Sequence, residues 1–256
     1  RYDRKCLYVE NPWSSNAAKE RACDHIHAGR HSTDVIADAA VRFLKNRPEG
    51  EPFLLYAAFL APHDPRTMPR RFRDLYDPAA IELPPNFLGG HPFDNGELRI
   101  RDEMLCAFPR TPEEIRRHLA DYYAMISHLD ARIGDIVAAV ERRGLQDDTI
   151  FVLAGDNGLA LGQHGLMGKQ SLYEHSIRVP LVFAGPGVPQ NARRGALTHL
   201  LDIFPTLCEL AGVPTPRSVE GKSLVPVLRR PGQRVRKSVY LAYTDKHRGV
   251  RTDRWK

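Results

Sequence analysis

Asp156 and Asn157 stand side by side between two glycines, Gly155 and Gly158. Adjacent carboxylate and amide oxygens are hard donors that suit Ca²⁺ or Mg²⁺ better than a soft metal. The flanking glycines permit a tight turn that aims both side chains. The tripeptide alone is also ordinary turn chemistry, and a second copy, Asp94-Asn95-Gly96, reads as a turn because no strand precedes it. Twelve residues after Asn157 comes Lys169, in a glycine-rich run (Gly162, Gly165, Gly168) that also holds His164. A lysine point charge near a divalent ion and a tetrahedral oxyanion is sensible electrostatics. Taken singly, Lys169 reads as a surface lysine, and His164 and His175 as loop or core histidines. The remaining candidate is His63, within Pro62-His63-Asp64-Pro65.

These residues need elements to aim them. From Ser32, STDVIADAAVRFLKNRPEG carries Ser32 or Thr33 as an N-cap, apolar residues at helical spacing, and Pro48 with Gly50 as a stop. The apolar run Phe53 to Leu60 suits a strand buried on both faces of a parallel sheet. Residues 66–110, rich in Pro, Gly, Asp and Asn, read as a long surface excursion with a short helix near Arg70 to Tyr76. Thr111-Pro112-Glu113-Glu114 is a strong helix start. An apolar stripe from Ile115 through Ile126 to Val140 continues that helix until Gly144. Strands are expected over 149–155 and 179–185, and a helix from Asp202 to Ala211. This alternation predicts an α/β fold with a largely parallel (mixed) central sheet flanked by helices. In open α/β sheets ligands gather beyond the carboxyl ends of the strands. The strand at 53–60 runs into His63 and the strand at 149–154 runs into Asp156-Asn157, so position as well as residue type singles them out.

The 256 residues suffice for a sizeable core, and 42% hydrophobic with 27% charged content argues against disorder. A formal charge of +6 is compatible with anionic partners, although such an excess is commonly a solvated face. No run of basic residues interleaves with aromatics, which argues against nucleic acid, and no apolar run is long enough for a membrane span. The four cysteines, Cys6, Cys23, Cys106 and Cys208, are far apart and contain no C-x-x-C pair, against a structural zinc site. Cys208 reads as a small core residue; Cys6 and Cys23 could pair in an oxidising compartment, although their spacing is no argument for it. With no initiator methionine or signal peptide, the chain is expected to be an internal fragment.

From Ser32 onward the sequence resembles the sulfatase family of the alkaline-phosphatase-like superfamily. The resemblance is carried by STDVIADAAVRFL, FLAPHDP, TIFVLAGDNGLALGQHGLMGKQSLYEHSIRVPLVF, THLLDIFPTLCELAGVP and GVRTDRWK, in the family's order. It implies that Asp156 and Asn157 are metal ligands to Ca²⁺ or Mg²⁺, that Lys169 contacts the sulfate, and that His63 and His164 face the substrate. It also implies a formylglycine, made from a cysteine or serine in C/S-x-P-x-R, whose hydrate attacks sulfur, with His63 and Lys169 assisting. No C/S-x-P-x-R occurs in these residues, so the nucleophile is expected upstream and the fragment alone is expected to be inactive. The resemblance thus implies a partial catalytic domain over 1–256, with 1–28 unassigned and a C-terminal subdomain beginning near residue 235. It further implies an exported enzyme, periplasmic or extracellular, acting on a small-molecule or saccharide sulfate ester. Selectivity would lie in loops such as 66–110, where Arg66, Arg70, Arg71, His91 and Arg99 could meet a polyanionic saccharide. Hydrolysis of phosphodiesters or phosphonate monoesters, or a non-catalytic binding role, uses the same scaffold.

Overall fold

The computed structural model describes residues 30–256, which form two compact units. The first comprises residues 30–146 together with 160–168; the second comprises 147–159 and 169–256. Cys6 and Cys23 lie outside the described residues.

The first unit is built on two helices, α1 (Ser32–Asn46) and α3 (Pro112–Arg142), joined through a short α2 (Arg70–Arg73). The cap of α1 is His31 rather than Ser32 or Thr33. Its Nδ1 accepts from the Thr33 amide at 3.2 Å while its Nε2 donates to the Thr67 carbonyl at 2.9 Å, so both ring nitrogens are used. Ala37, Ala40 and Leu44 bury one face of α1 against α3. That contact is polar as well as apolar. His128, 1% exposed, donates from Nε2 to Asp34 at 2.9 Å, and Arg132 pairs with both Asp34 and Asp38. Thr111 caps α3 by accepting from the Glu114 amide at 3.3 Å, Pro112 occupies the first turn, and the Glu141 carbonyl accepts from Gly144 at 2.8 Å where the helix stops. Along α3 the buried residues are Ile115, Leu119, Ala120, Ala124, Met125, His128, Ala139 and Val140, while Ile126 is left 39% exposed. The expected stripe is thus buried at Ile115, Leu119 and Val140, and three alanines, Ala120, Ala124 and Ala139, are buried with it.

The residues between α2 and α3 are not a free excursion. They include two single 3₁₀ turns, Pro78–Ala80 and Glu103–Leu105, and they line residues 160–168 on one side. Phe87 bridges Gln163, the Asn86 carbonyl accepts from His164 at 2.9 Å, and the Gly162 carbonyl accepts from Leu88 at 3.3 Å. Leu161, Leu166 and Met167 are buried in this unit's core. Asp94-Asn95-Gly96 forms the expected turn, with Asp94 Oδ1 accepting from Gly96 and Asn95 Oδ1 from Glu97.

The second unit holds β1 (Phe151–Ala154), α4 (Glu174–Ile177), β2 (Leu181–Ala184), α5 (Ile203–Leu210), α6 (Val225–Arg229), β3 (Ser238–Tyr243) and β4 (His247–Thr252). Cys208 is buried on α5, as the apolar helix there implies. β1 pairs with β2 antiparallel, Phe151 opposite Ala184, and β3 with β4 antiparallel, Ser238 opposite Thr252. The α/β character stands, but no parallel pair occurs among the described residues. A parallel return needs a crossover helix packed on the sheet, and the connection between β1 and β2 contains only the four-residue α4. Phe53–Leu60 likewise forms no ladder among the described residues. It alternates half-buried Phe53, Leu55, Ala57 and Phe59 with Leu54 and Tyr56, 84% and 88% exposed, in place of the two-sided burial expected.

Candidate functional site

The sequence-derived candidates fall on three loops. His63 lies in the first unit, exposed, beyond the extended run 53–60, and its amide donates to the Leu60 carbonyl at 3.0 Å. Its Nδ1 donates to the Asp64 carbonyl at 2.8 Å. The adjoining Asp64 carboxylate is only 6% exposed and is paired with Arg101.

His164 lies on the second loop, 160–168, also in the first unit. Its backbone is left-handed, with φ 55°, a conformation uncommon outside glycine. Neighbours on both sides hold it there: its amide donates to Asn86, its carbonyl accepts from His91 Nδ1 at 2.8 Å, and the Asn86 amide group faces its Nε2 at 3.0 Å. Gly165 must be glycine, because a Cβ would sit 2.3 Å from the Gly90 carbonyl carbon and its φ is +74°. Beneath the loop, buried Glu103 accepts from the amides of Met167 and Gly168, each at 2.9 Å, and from Arg110 at 2.7 Å. Burial pushes this carboxyl above its ordinary value against the pull of those three donors.

The third loop belongs to the second unit and follows β1. Asp156 and Asn157 are both exposed, and Asp156 Oδ1 accepts from the Asn157 amide at 2.8 Å. On one side the Gly155 amide donates to the Pro180 carbonyl at 3.1 Å, extending the β1–β2 ladder by one rung. On the other side the Gly158 amide donates to the Ser176 carbonyl at 2.8 Å, so close to α4 that a Cβ would lie 1.8 Å from the His175 carbonyl oxygen. A buried Ser171–Ser176 hydroxyl pair at 2.9 Å fastens α4 to the segment after Lys169, and Ser171 Oγ lies 3.2 Å from His175 Nε2. Lys169 itself is half-buried, with its amide donating to Gln170 at 2.8 Å.

Two exposed hard-oxygen donors at the end of a strand fit an oxygen-seeking divalent ion, which takes six or more ligands when it is calcium. Among the described residues no group of three or more His, Cys, Asp or Glu converges as a metal cage. Asp156 and Asn157 would therefore be part of a ligand set, not all of it.

Sequence reasoning missed Glu103, Arg110, Asn86 and Ser176. Nothing local marks them: an acid and an arginine in a polar stretch read as solvated, and their partners lie more than fifty residues away along the chain for three of the four. Only the glycines hinted at a close approach, because Gly158 and Gly165 touch backbone.

Comparison with solved structures gives the fold as alkaline-phosphatase-like. BT4656 in complex with its substrate D-glucosamine-2-N,6-O-disulfate superposes with a TM-score of 0.71 at 25% identity, covering 87% of this chain and 59% of that one. The phosphonate monoester hydrolase of Agrobacterium radiobacter superposes at 0.67 and 25% identity, covering 82% and 45%. The chain belongs to the sulfatase family: the family model matches residues 2–213, beginning upstream of the Ser32 boundary of the recognisable motifs. A choline-sulfatase of Rhizobium meliloti is 35% identical over 184 residues, covering 69% of this chain. The chain spans only 35% of that relative's length. Sulfatases are as a family generally metal- and formylglycine-dependent. Among the described residues no helix is long and apolar enough to cross a membrane.

Proposed function

We propose that this chain supplies part of the active site of a sulfuric ester hydrolase that releases inorganic sulfate from a carbohydrate sulfate ester. The observation that carries the reading is the Asp156-Asn157 loop, pinned at the end of β1 between the Pro180 and Ser176 carbonyls, in a member of the sulfatase family. Asp156 and Asn157 would hold Ca²⁺ (or Mg²⁺), which when bound neutralises charge developing on the transferring group. Lys169 contacts the sulfate oxygens as a point charge. Hydrogen-bonded at Nδ1, His63 presents Nε2 to the substrate and serves, protonated, as donor to the leaving oxygen. His164 is a further substrate contact, aimed by Asn86 and His91. A formylglycine from a segment outside these residues is the nucleophile, since no C/S-x-P-x-R occurs within them. The domain is a partial catalytic domain with a C-terminal subdomain starting near residue 235, and the enzyme is exported to the periplasm or beyond. A saccharide substrate is supported by the disulfated glucosamine bound to the structural relative.

Asp156→Ala, made in a chain that carries the nucleophile segment, tests the reading. Bound calcium, read by elemental analysis, and release of sulfate from nitrophenyl sulfate should both be lost. Wild-type turnover in that variant would remove Asp156 from the site. The phosphonate monoester hydrolase neighbour makes a second substrate worth measuring. Faster cleavage of a phenylphosphonate monoester than of nitrophenyl sulfate would reassign the enzyme, and metal binding without turnover on either would make it a binding protein.

A further inference from the structure

Glu103 and Arg110 lie in the stretch whose composition marks it as solvated, yet they are only 4% and 2% exposed. The Glu103 carboxylate directs both oxygens at one short piece of backbone. Oε2 accepts from Met167 at 2.9 Å and from Arg110 Nη2 at 2.7 Å, and Oε1 accepts from Gly168 at 2.9 Å. Arg110 reaches the same segment with Nε, which donates to the Gly165 carbonyl at 3.4 Å. It is braced by Cys106, whose carbonyl accepts from Nη1, and by its own amide, which donates to Gly89 at 2.6 Å. A charged acceptor holds amides more strongly than a neutral one, and these two amides immediately precede Lys169. The same segment carries His164 in its left-handed conformation.

We infer that Glu103 and Arg110 are positioning residues: as a buried ion pair they clamp residues 165–168 and so set where His164 and Lys169 meet the sulfate. This rests on the roles proposed for His164 and Lys169, and it adds an outer layer of charge to which no motif points. A purely structural pair would act on stability alone. A positioning pair also acts on turnover per folded molecule, because a misplaced contact near 1 Å can cost up to about 10²-fold in rate.

The test uses the enzyme with its nucleophile segment, nitrophenyl sulfate as substrate, and rates normalised to folded protein. Glu103→Gln keeps the volume but removes the charge and turns an NH₂ toward a donor. It should lower kcat/KM by about tenfold to 10²-fold, while hydrogen exchange at the Met167 and Gly168 amides speeds up and the buried amides of α3 stay protected. Arg110→Lys keeps the charge without the fork, and should fall between Glu103→Gln and wild type. It also serves as the second variant should Glu103→Gln not fold. Lys169→Ala separates this idea from the reading beneath it. If Lys169→Ala is inactive while the Glu103 or Arg110 variant that folds stays within about twofold of wild type, the positioning role is overturned and the sulfatase reading survives. If Lys169→Ala turns over normally, the anion-contact assignment fails and the positioning role falls with it.

Discussion

At the scale of single residues, His118 on α3 shows how burial sets chemistry. Arg66 points its guanidinium at His118 Nδ1, so the imidazole works as an acceptor and must be neutral. Burial, with Arg66, Arg117 and Arg110 nearby, pushes its pKa from 6.5 down to about 3. The unfolded chain therefore binds a proton that the folded one refuses in the window between those values. Stability is then fully present above the unfolded pKa and falls as pH drops through the window, by at most about 1.4 kcal/mol per pH unit. His118→Gln, which can still accept from Arg66, should flatten that slope; chemical-denaturation midpoints from about pH 7 to about pH 4 measure it. An unchanged slope would assign the acid sensitivity elsewhere. Among the candidate site residues, Asp156 was legible because strand end, glycines and side-chain type coincided. Glu103 was not, because its meaning depends on amides 64 and 65 residues further along the chain.

At the scale of elements, the start of α5 shows a buried charge organising several segments. Asp202 is 0% exposed and accepts from the amides of His199 at 2.7 Å and Lys222 at 2.9 Å, and from both arms of Arg236. Burial alone would raise its carboxyl, but Arg236 and the two amides outweigh it and hold the group below its ordinary value. Asp202→Asn leaves Arg236 paired with a neutral amide in a nearly closed site, and should cost about 3–5 kcal/mol. By contrast Thr111→Ala, which removes one half-buried cap of α3, should cost about 1 kcal/mol. Denaturant titration compares them, and an Asp202→Asn loss no larger than that of Thr111→Ala would mean that the network adds little. The ends of α3 were readable from Thr111, Pro112 and Gly144, since capping is local. Its buried face was only partly readable: Ile115, Leu119 and Val140 of the apolar stripe are buried, but so are Ala120, Ala124 and Ala139, while Ile126 is exposed.

At the scale of the whole molecule, a formal charge of +6 bears on association with anions rather than on the fold. If the substrate is a sulfated saccharide, kcat/KM on a polysulfated oligosaccharide should fall steeply with added salt, while that on singly charged nitrophenyl sulfate changes little. Measured between about 0.05 and 0.5 M salt, equal slopes would mean that only the sulfate pocket feels the charge.

The sequence by itself determined the family, the limits of α3 and the polar residues that follow β1, because motifs, caps and glycine turns are short-range properties written in adjacent residues. Only the tertiary structure decided that residues 86–110 fold onto residues 160–168, that β1 and β2 run antiparallel, and that Glu103 with Arg110 holds the backbone ahead of Lys169. Those outcomes follow from burying groups that lie far apart in the chain. A buried carboxylate must find donors wherever the fold brings them, and no local pattern records where that will be.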